Sequence, residues 1–443
     1  MKIPPVKGTR DFYPPDMAVR NGIIDGWKRA SIRNGFEEYD GPIFEHLQMY
    51  QIKSGDEIVE QLFSLEDRGG RALAIRPEIT PTLARMVNQR INSLSRPIKW
   101  FSVPRLCRAE RPQKGRLREF FQWNIDIIGV DDVLADAEVI FTTVDYLREA
   151  GLTAGDIRVK MSSRRLLAAV LRSIGIAEAE LDSLYVLLDK KGRLPAETFK
   201  ELLAERVSDV GTASRIEAFM EASSVSGVRQ AIGAAWNDEV AEAINELSQV
   251  ERLLKEEMGV GEYCQFDPCI VRGLAYYTGV VFEVHDIVGE LRAICGGGRY
   301  DNLLGDFGGG AIPATGMGMG DCVLEILLAE KGLLDRQISG GGLDYFIVFV
   351  PGLKFDGPGD VASTSRGQAV RLTARLRGLG RSADFSYKAA GVGKQLKQAS
   401  ERNARECIII GDELRRGKLV VKDMSTGEQR LVGMEEFLSQ LKP

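Results

Sequence analysis

Between Glu119 and Ile128 the chain reads EFFQWNIDII, an alternation of period two. Successive side chains of a strand point to opposite faces. Phe120, Gln122, Asn124 and Asp126 therefore share one face, and Phe121, Trp123 and Ile125 the other. The second face is apolar and reads as core. Carried backward, the alternation adds Arg116 and Arg118 to the polar face, and Arg108, Arg111 and Lys114 crowd the approach to it. Cations, a flat ring, an amide and a carboxylate in that order suit a polyanion with a flat base and a small cationic group. A solvated edge strand after a basic turn is the plainer alternative.

The same reading places elements along the rest of the chain. PPDMAVRNGIIDGWKRASIRNG predicts a helix that stops at Asn34-Gly35. FEEYDGPIFEH predicts one strand, with Pro42 marking an edge or interface. Two apolar runs around DRGGR predict a hairpin that delivers Arg76-Pro77-Glu78 to a strand end. Thr80 then stands as the N-cap of a helix with Pro81 at its first position. Lys99 to Ile128 forms a long antiparallel hairpin. Roughly a hundred residues of helical pattern follow, to VERLLKEEMG. Strand character returns at CQFDPCIVRGLAYYTGVVFEVHD. The glycines at 296–298 and 308–310 mark turns or close approach of backbone to a ligand. Without a following Gly-Lys-Ser/Thr they make no P-loop. After a linker at Ser339–Gly342, strands and helices alternate in a compact mixed α/β module.

Composition changes this picture little. Apolar content of 44% and charged content of 27% are ordinary for a globular protein, and 443 residues allow two to four domains. No apolar run is long enough to span a membrane, and MKIPPVKGTRDF lacks a signal core. Cys264 and Cys269 could be half a metal site. With only His46 and His285 to complete it, buried thiols are the simpler reading, no metal site is expected, and a reducing cytoplasm fits. From Asp344 onward 17 Lys+Arg face 12 Asp+Glu, a net of +5, which leaves −10 on the remainder. A positive module on an acidic body points to an anionic partner, nucleic acid among them.

GTRDFYP, RAERPQKGRLREF, VRGLAYYTG, GGGRYDNL and IIIGDELRRGKLVVKDMSTGEQ, in that order, resemble the histidyl-tRNA synthetase family over nearly the whole chain. The resemblance implies an α+β class II antiparallel-sheet catalytic core in two parts, residues 1–160 and 261–335. It further implies a helical insertion over 161–260 and an anticodon-binding domain over 343–443. L-histidine and ATP, with Mg²⁺, would give histidyl-adenylate. The histidyl group would then pass to the 3′ end of tRNA(His), read at its GUG anticodon. A cytoplasmic homodimer is implied, with Pro42 where the family carries its dimer motif.

Residue by residue, the resemblance puts Arg108 on the α-phosphate and Arg116 and Arg118 on the outer phosphates. Phe120 goes against adenine, with Glu110 also on the ATP side. Glu78, Thr80 and Gln122 hold the α-amino group, and Asp126 and Tyr277 recognise the imidazole, with Tyr276 beside them. Arg272 is the catalytic arginine that bridges substrate carboxylate and α-phosphate. Fixed cations suit a transition state that collects negative charge, and arginine forks suit phosphate oxygens. Phosphate contacts to tRNA are expected from Arg371, Arg375 and Lys394 to Lys397.

Two positions depart from the pattern. Ala275 stands where many members have aspartate. Gly320-Asp321-Cys322-Val323 replaces the Gly-Leu-Glu-Arg that ends motif 3, so its ATP-binding arginine is missing. Plant-type members have a similar Gly-Asp ending. The alternatives are the family's paralogue, the ATP phosphoribosyltransferase regulatory subunit, and a nucleic-acid-binding protein with an inactive core. A basic C-terminal module, with Arg108, Arg272, Glu78 and Gln122 all kept, argues for the synthetase.

Overall fold

A computed structural model of the chain describes residues 3–52, 61–272, 276–338, 342–355 and 363–441. Two compact units divide the chain, Met1–Ser339 and Gly340–Pro443. Residues 339–341, within the expected linker, lie outside the described residues.

In the first unit β1 (Glu37–Glu38) belongs to a large sheet. β2 (Phe44–His46), β3 (Phe63–Glu66) and β4 (Ala72–Ile75) form a small antiparallel one. The large sheet continues with β5 (Ile98–Ser102), β6 (Arg105–Cys107), β7 (Glu119–Ile128) and β8 (Ile157–Ser163). β9 (Cys264–Phe266), β10 (Val280–Asp286), β11 (Cys295–Arg299) and β12 (Ala314–Gly320) complete it. Its order is β1-β5-β7-β12-β11-β10-β8-β9, with β6 also on β7, nine strands among the described residues. Among the described residues of this sheet, only β1–β5 and β8–β9 pair parallel.

One face of this sheet is sealed by the helices Pro14–Arg33 and Leu134–Glu149. The period-two reading of β7 explains why: Trp123, Ile125 and Ile127 are at most 2% exposed. Trp27 stacks on Trp123 at 6.3 Å, Tyr146 meets Trp123 edge-on at 5.4 Å, and the Trp123 indole donates to Ser31 Oγ at 2.8 Å. The other face is left open for chemistry.

Three expectations need correction. FEEYDGPIFEH is two strands in two sheets, because Gly41-Pro42 interrupts it and proline has no N–H for a ladder. Buried Arg76 gathers the break, donating to Asp40 Oδ1 and the Gly41 carbonyl at 2.8 Å each and to the Arg105 carbonyl at 3.1 Å. Thr80 is the first residue of the helix Thr80–Arg90, not its cap; Ile79 holds that place, with no side-chain cap. β7 begins at Glu119, so Arg116 and Arg118 belong to the preceding loop and not to its face.

The helices from Arg164 to Arg252 pack a core of their own, including Leu167, Leu184, Phe199, Phe219 and Leu247. β8 and β9 tie that segment's two ends into the large sheet.

The second unit is a five-stranded sheet of β13 (Tyr345–Phe349), β14 (Ala383–Phe385), β15 (Glu406–Ile410), β16 (Lys418–Asp423) and β17 (Gln429–Gly433). Its order is β14-β13-β15-β16-β17. Tyr345, Ile347 and Phe349 meet the helix Ser365–Gly378, while Phe346 and Val348 meet Val392–Glu401, so alternation on β13 buries both faces. Among the described residues no helix is long and apolar enough to cross a membrane.

Candidate active site

Glycines shape the open face of the large sheet. Across β7 and β12 the register sets Asp126 beside Gly316, Asn124 beside Gly318 and Gln122 beside Gly320. β11 then sets Gly298 beside Gly316 and Gly296 beside Gly318. Two central strands thus present five glycines to this face, so nothing projects from them. A Cβ at Gly316 would fall 2.0 Å from Asp126 Oδ1, and one at Gly318 would fall 3.0 Å from the Gln122 amide. Side chains from β7 lie down in the space the glycines leave.

Beyond this floor, β10 presents Glu283, next to Gly296, and β8 presents Lys160, next to Glu283. The floor opens into a cavity of about 1050 Å³ lined by Arg108, Arg116, Phe120, Gln122, Arg272 and Glu283, among others. That space lies at the upper end of the usual range for ligand pockets.

Arg272 enters it along the glycines. Its backbone has φ of +63°, a left-handed conformation uncommon for a residue with a side chain. Its Nη1 donates to Glu283 Oε1 at 3.0 Å, and its guanidinium stands 5.5 Å from the centre of the Tyr277 ring. A Cβ at Gly296 would sit 1.6 Å from Nη1.

Behind Arg272 lies an enclosed cluster. Tyr277 and Tyr276 pack at 5.0 Å, Tyr276 OH donates to Glu78 Oε2 at 3.4 Å, and Tyr300 meets Tyr276 edge-on. The Tyr300 hydroxyl donates to Asp126 Oδ1. Asp126 is 3% exposed, and its Oδ2 has no hydrogen-bond partner among the described residues. Burial pushes its carboxyl up to about 7, against the Tyr300 hydrogen bond that lowers it.

The expected residues therefore fall into two groups joined at Arg272. Arg108, Glu110, Arg116, Phe120, Gln122 and Arg272 line the cavity. Glu78, Asp126 and Tyr276 are buried behind it, with Tyr277 at the boundary and Thr80 at the adjoining helix start. Arg118 joins neither: its Nε donates to the Glu110 carbonyl at 3.0 Å and its stem packs by Gly8. Arg116 pairs with the buried Glu110 carboxylate. Arg108 donates to the Pro77 carbonyl at 3.0 Å and lies 5.1 Å over the Phe120 ring.

Reading of the sequence missed Glu283, His285 and Tyr300. A signal existed for the first two, since VVFEVHD alternates and puts both opposite its apolar face. It also gave Arg10 of GTRDFYP no task. Arg10 pairs with Asp321 and, at 2.9 Å, with Glu325, while Asp321 Oδ1 also accepts from the Phe121 N–H.

A histidyl-tRNA synthetase family model matches residues 8–320, and an anticodon-binding-domain model matches 356–443. The chain belongs to the histidyl-tRNA synthetase family. This synthetase is 38% identical to the chloroplastic/mitochondrial histidine–tRNA ligase of Arabidopsis thaliana over 98% of its own length and 85% of that protein. With the histidine–tRNA ligase of Opitutus terrae it is 35% identical over 98% and 97%. The structure of histidyl-tRNA synthetase from Nostoc sp. PCC 7120 superposes with a TM-score of 0.80 at 22% identity, over 100% of this chain and 99% of that one, and so shares the fold.

The synthetase's departure in motif 3 has a local structural counterpart. Asp321 is buried against Arg10, and at Gly115 (φ +74°) an added Cβ would come 2.9 Å from Val323. The loop before β7 thus packs on the side chain that stands in the missing arginine's place. Lys114 reinforces the contact with Glu330 at 3.0 Å. Residues 273–275, with Ala275 among them, lie outside the described residues.

Proposed function

We propose that the glycine-floored cavity is where this synthetase joins L-histidine to ATP, forming histidyl-adenylate and pyrophosphate, before transfer to the 3′ end of tRNA(His). The convergence of Arg108, Gln122 and Arg272 on one cavity carries the reading. Arg108 and Arg272 supply fixed cations for the α-phosphate, Phe120 a flat face for adenine, and Arg116 with Glu110 the wall beside the outer phosphates. Glu78, Gln122 and Thr80 serve the α-amino group. Asp126 Oδ2, buried and without a partner among the described residues, accepts an imidazole N–H once the carboxyl is ionised, with Tyr277 at the other ring nitrogen.

Mg²⁺ would arrive on the nucleotide phosphates, as is its habit. Among the described residues no three His, Cys, Asp or Glu side chains group to hold a metal, so no step is assigned to one. Burial raises the thiols of Cys264 and Cys269 to about 12 and about 11, which suits inert cysteines rather than ligands.

The basic second unit would meet the anticodon arm, with exposed Arg371, Lys394 and Lys397 toward phosphates. Arg375 is a weaker choice, because Glu435 holds it at 2.7 and 2.8 Å. A homodimer is supported by Ile43 and Phe44, 59% and 55% exposed next to Pro42, and by Leu65 on the same small sheet at 42%. Cytoplasmic residence completes the reading.

The decisive assay is ATP–pyrophosphate exchange. It is expected to depend on histidine and to be accompanied by charging of tRNA(His). Purified protein with no histidine-dependent exchange would remove the reading and leave the regulatory-subunit paralogue or an inactive core.

The Asp126 carboxyl sets a second expectation. Folded, it holds its proton to about pH 7; unfolded, it loses it near the ordinary 3.8. The unfolded state therefore binds fewer protons between these values, and stability falls as pH rises through that window. Asp126→Asn keeps an acceptor for Tyr300 and removes the charge. Its thermal midpoint should equal the parent's near pH 4, exceed it increasingly toward pH 7, and level off above, while KM for histidine rises. A difference that does not change with pH would refute the assignment.

A further inference from the structure

We infer that Glu283 is a positioning residue for adenylation, holding the Arg272 guanidinium on the glycine floor in the pose that meets the α-phosphate. The inference rests on the role proposed for Arg272 and names the group through which that role is set.

Three observations carry it. First, nothing on the floor itself can hold an arginine. Gly296 and Gly318 have no side chain, and Arg272 Nη1 occupies the space where a Cβ of residue 296 would stand. Second, Glu283 is placed to do so from the next strand. Its register partner is Gly296, and its Oε1 accepts from Nη1 at 3.0 Å, with both side chains 17% exposed. Third, Glu283 is itself held. Its Oε2 meets His285 Nε2 at 3.0 Å, two residues along the same strand and on the same face, so both carboxylate oxygens are engaged.

The physical argument is one of preorganisation. A long side chain on a left-handed backbone residue, over a floor of glycines with Tyr277 on one side, needs a second anchor to settle in one rotamer. A charge-assisted hydrogen bond on Nη1, beside the hydrogen bond with Tyr277, fixes one rotamer and presents the guanidinium to the cavity. A cation already in place when charge develops on the α-phosphate stabilises the transition state without reorganising. Glu283 also supplies the counter-charge that a half-buried guanidinium needs before the anionic substrate arrives. It touches no reacting atom, so its effect should reach the chemistry only through Arg272.

The test is a double-mutant cycle on the full-length enzyme, read as the rate of histidyl-adenylate formation in single turnover with histidine and ATP varied separately. Glu283→Ala is expected to lower the maximal rate about 10- to 100-fold, the usual effect of losing a hydrogen bond to a charged group, with KM for ATP unchanged. Glu283→Gln, whose amide still accepts one hydrogen bond from Nη1, should fall between it and the parent. On the Arg272→Ala background, Glu283→Ala should change the rate by less than about twofold, because residues acting as a unit are not additive. Should Glu283→Ala fail to fold, the glutamine variant carries both arms. A folded Glu283 variant with the parent's rate, or one whose loss adds in full to that of Arg272→Ala, would overturn the inference. Parental rates in Arg272→Ala would instead overturn the role of Arg272 itself, a separable result.

Discussion

Replacing Arg272 by alanine is expected to reduce histidine-dependent ATP–pyrophosphate exchange by about 10²- to 10³-fold, the range seen when one preorganised donor to a developing oxyanion is removed. Attack of the histidine carboxylate brings two anions together and concentrates charge on the α-phosphate. The guanidinium of Arg272 lies in the cavity, fixed at one nitrogen by Glu283 and backed by the Tyr277 ring. The fold should survive the change, because the side chain lies on the open face of the sheet and takes no part in the Trp27–Trp123 core. Circular dichroism and the thermal midpoint check that condition. Lysine should rescue poorly, since a point charge cannot reproduce a planar fork. Exchange within about tenfold of the parent, in a folded variant, would contradict the role.

Gly296→Ala should do comparable damage with a single methyl group. The new Cβ would overlap Arg272 Nη1 at 1.6 Å and press on the Phe282 carbonyl at 3.0 Å. The backbone can accept alanine, as Gly296 is an ordinary strand residue paired to Glu283 and Gly318, with no positive φ. What must give is the arginine, which is expelled from its resting place. Exchange should fall by on the order of 10²-fold, with far-UV circular dichroism unchanged. Parental exchange by Gly296→Ala would mean that Arg272 reaches its working position by a different path.

Much of this was legible beforehand. Alternation over Glu119–Ile128 separates Trp123 and Ile125 from Gln122 and Asp126, and the structure keeps them apart. Local pattern carries such information because one buried face enforces it. The failures have a common cause. Extending the strand period backward puts Arg118 on the β7 face, but it lies in a loop, where side-chain direction is set by neighbours such as Gly8. Arg10 and Asp321 are 311 residues apart, and no periodicity speaks to such a pairing. Tyr300 finds Asp126 across 174 residues in the same way. Thr80 shows a smaller version, since a helix can start one residue earlier than its best capping side chain.

The glycines of β11 and β12 tie catalytic competence to strand register. On β12 they alternate with Met317 and Met319, which are buried in the core. A slip of one residue would turn both thioethers into the cavity and withdraw them from the opposite layer. Misaligned chains would thus lose core contacts and have a blocked site at once. Among refolded molecules, the active fraction would therefore count those whose central strands have paired correctly.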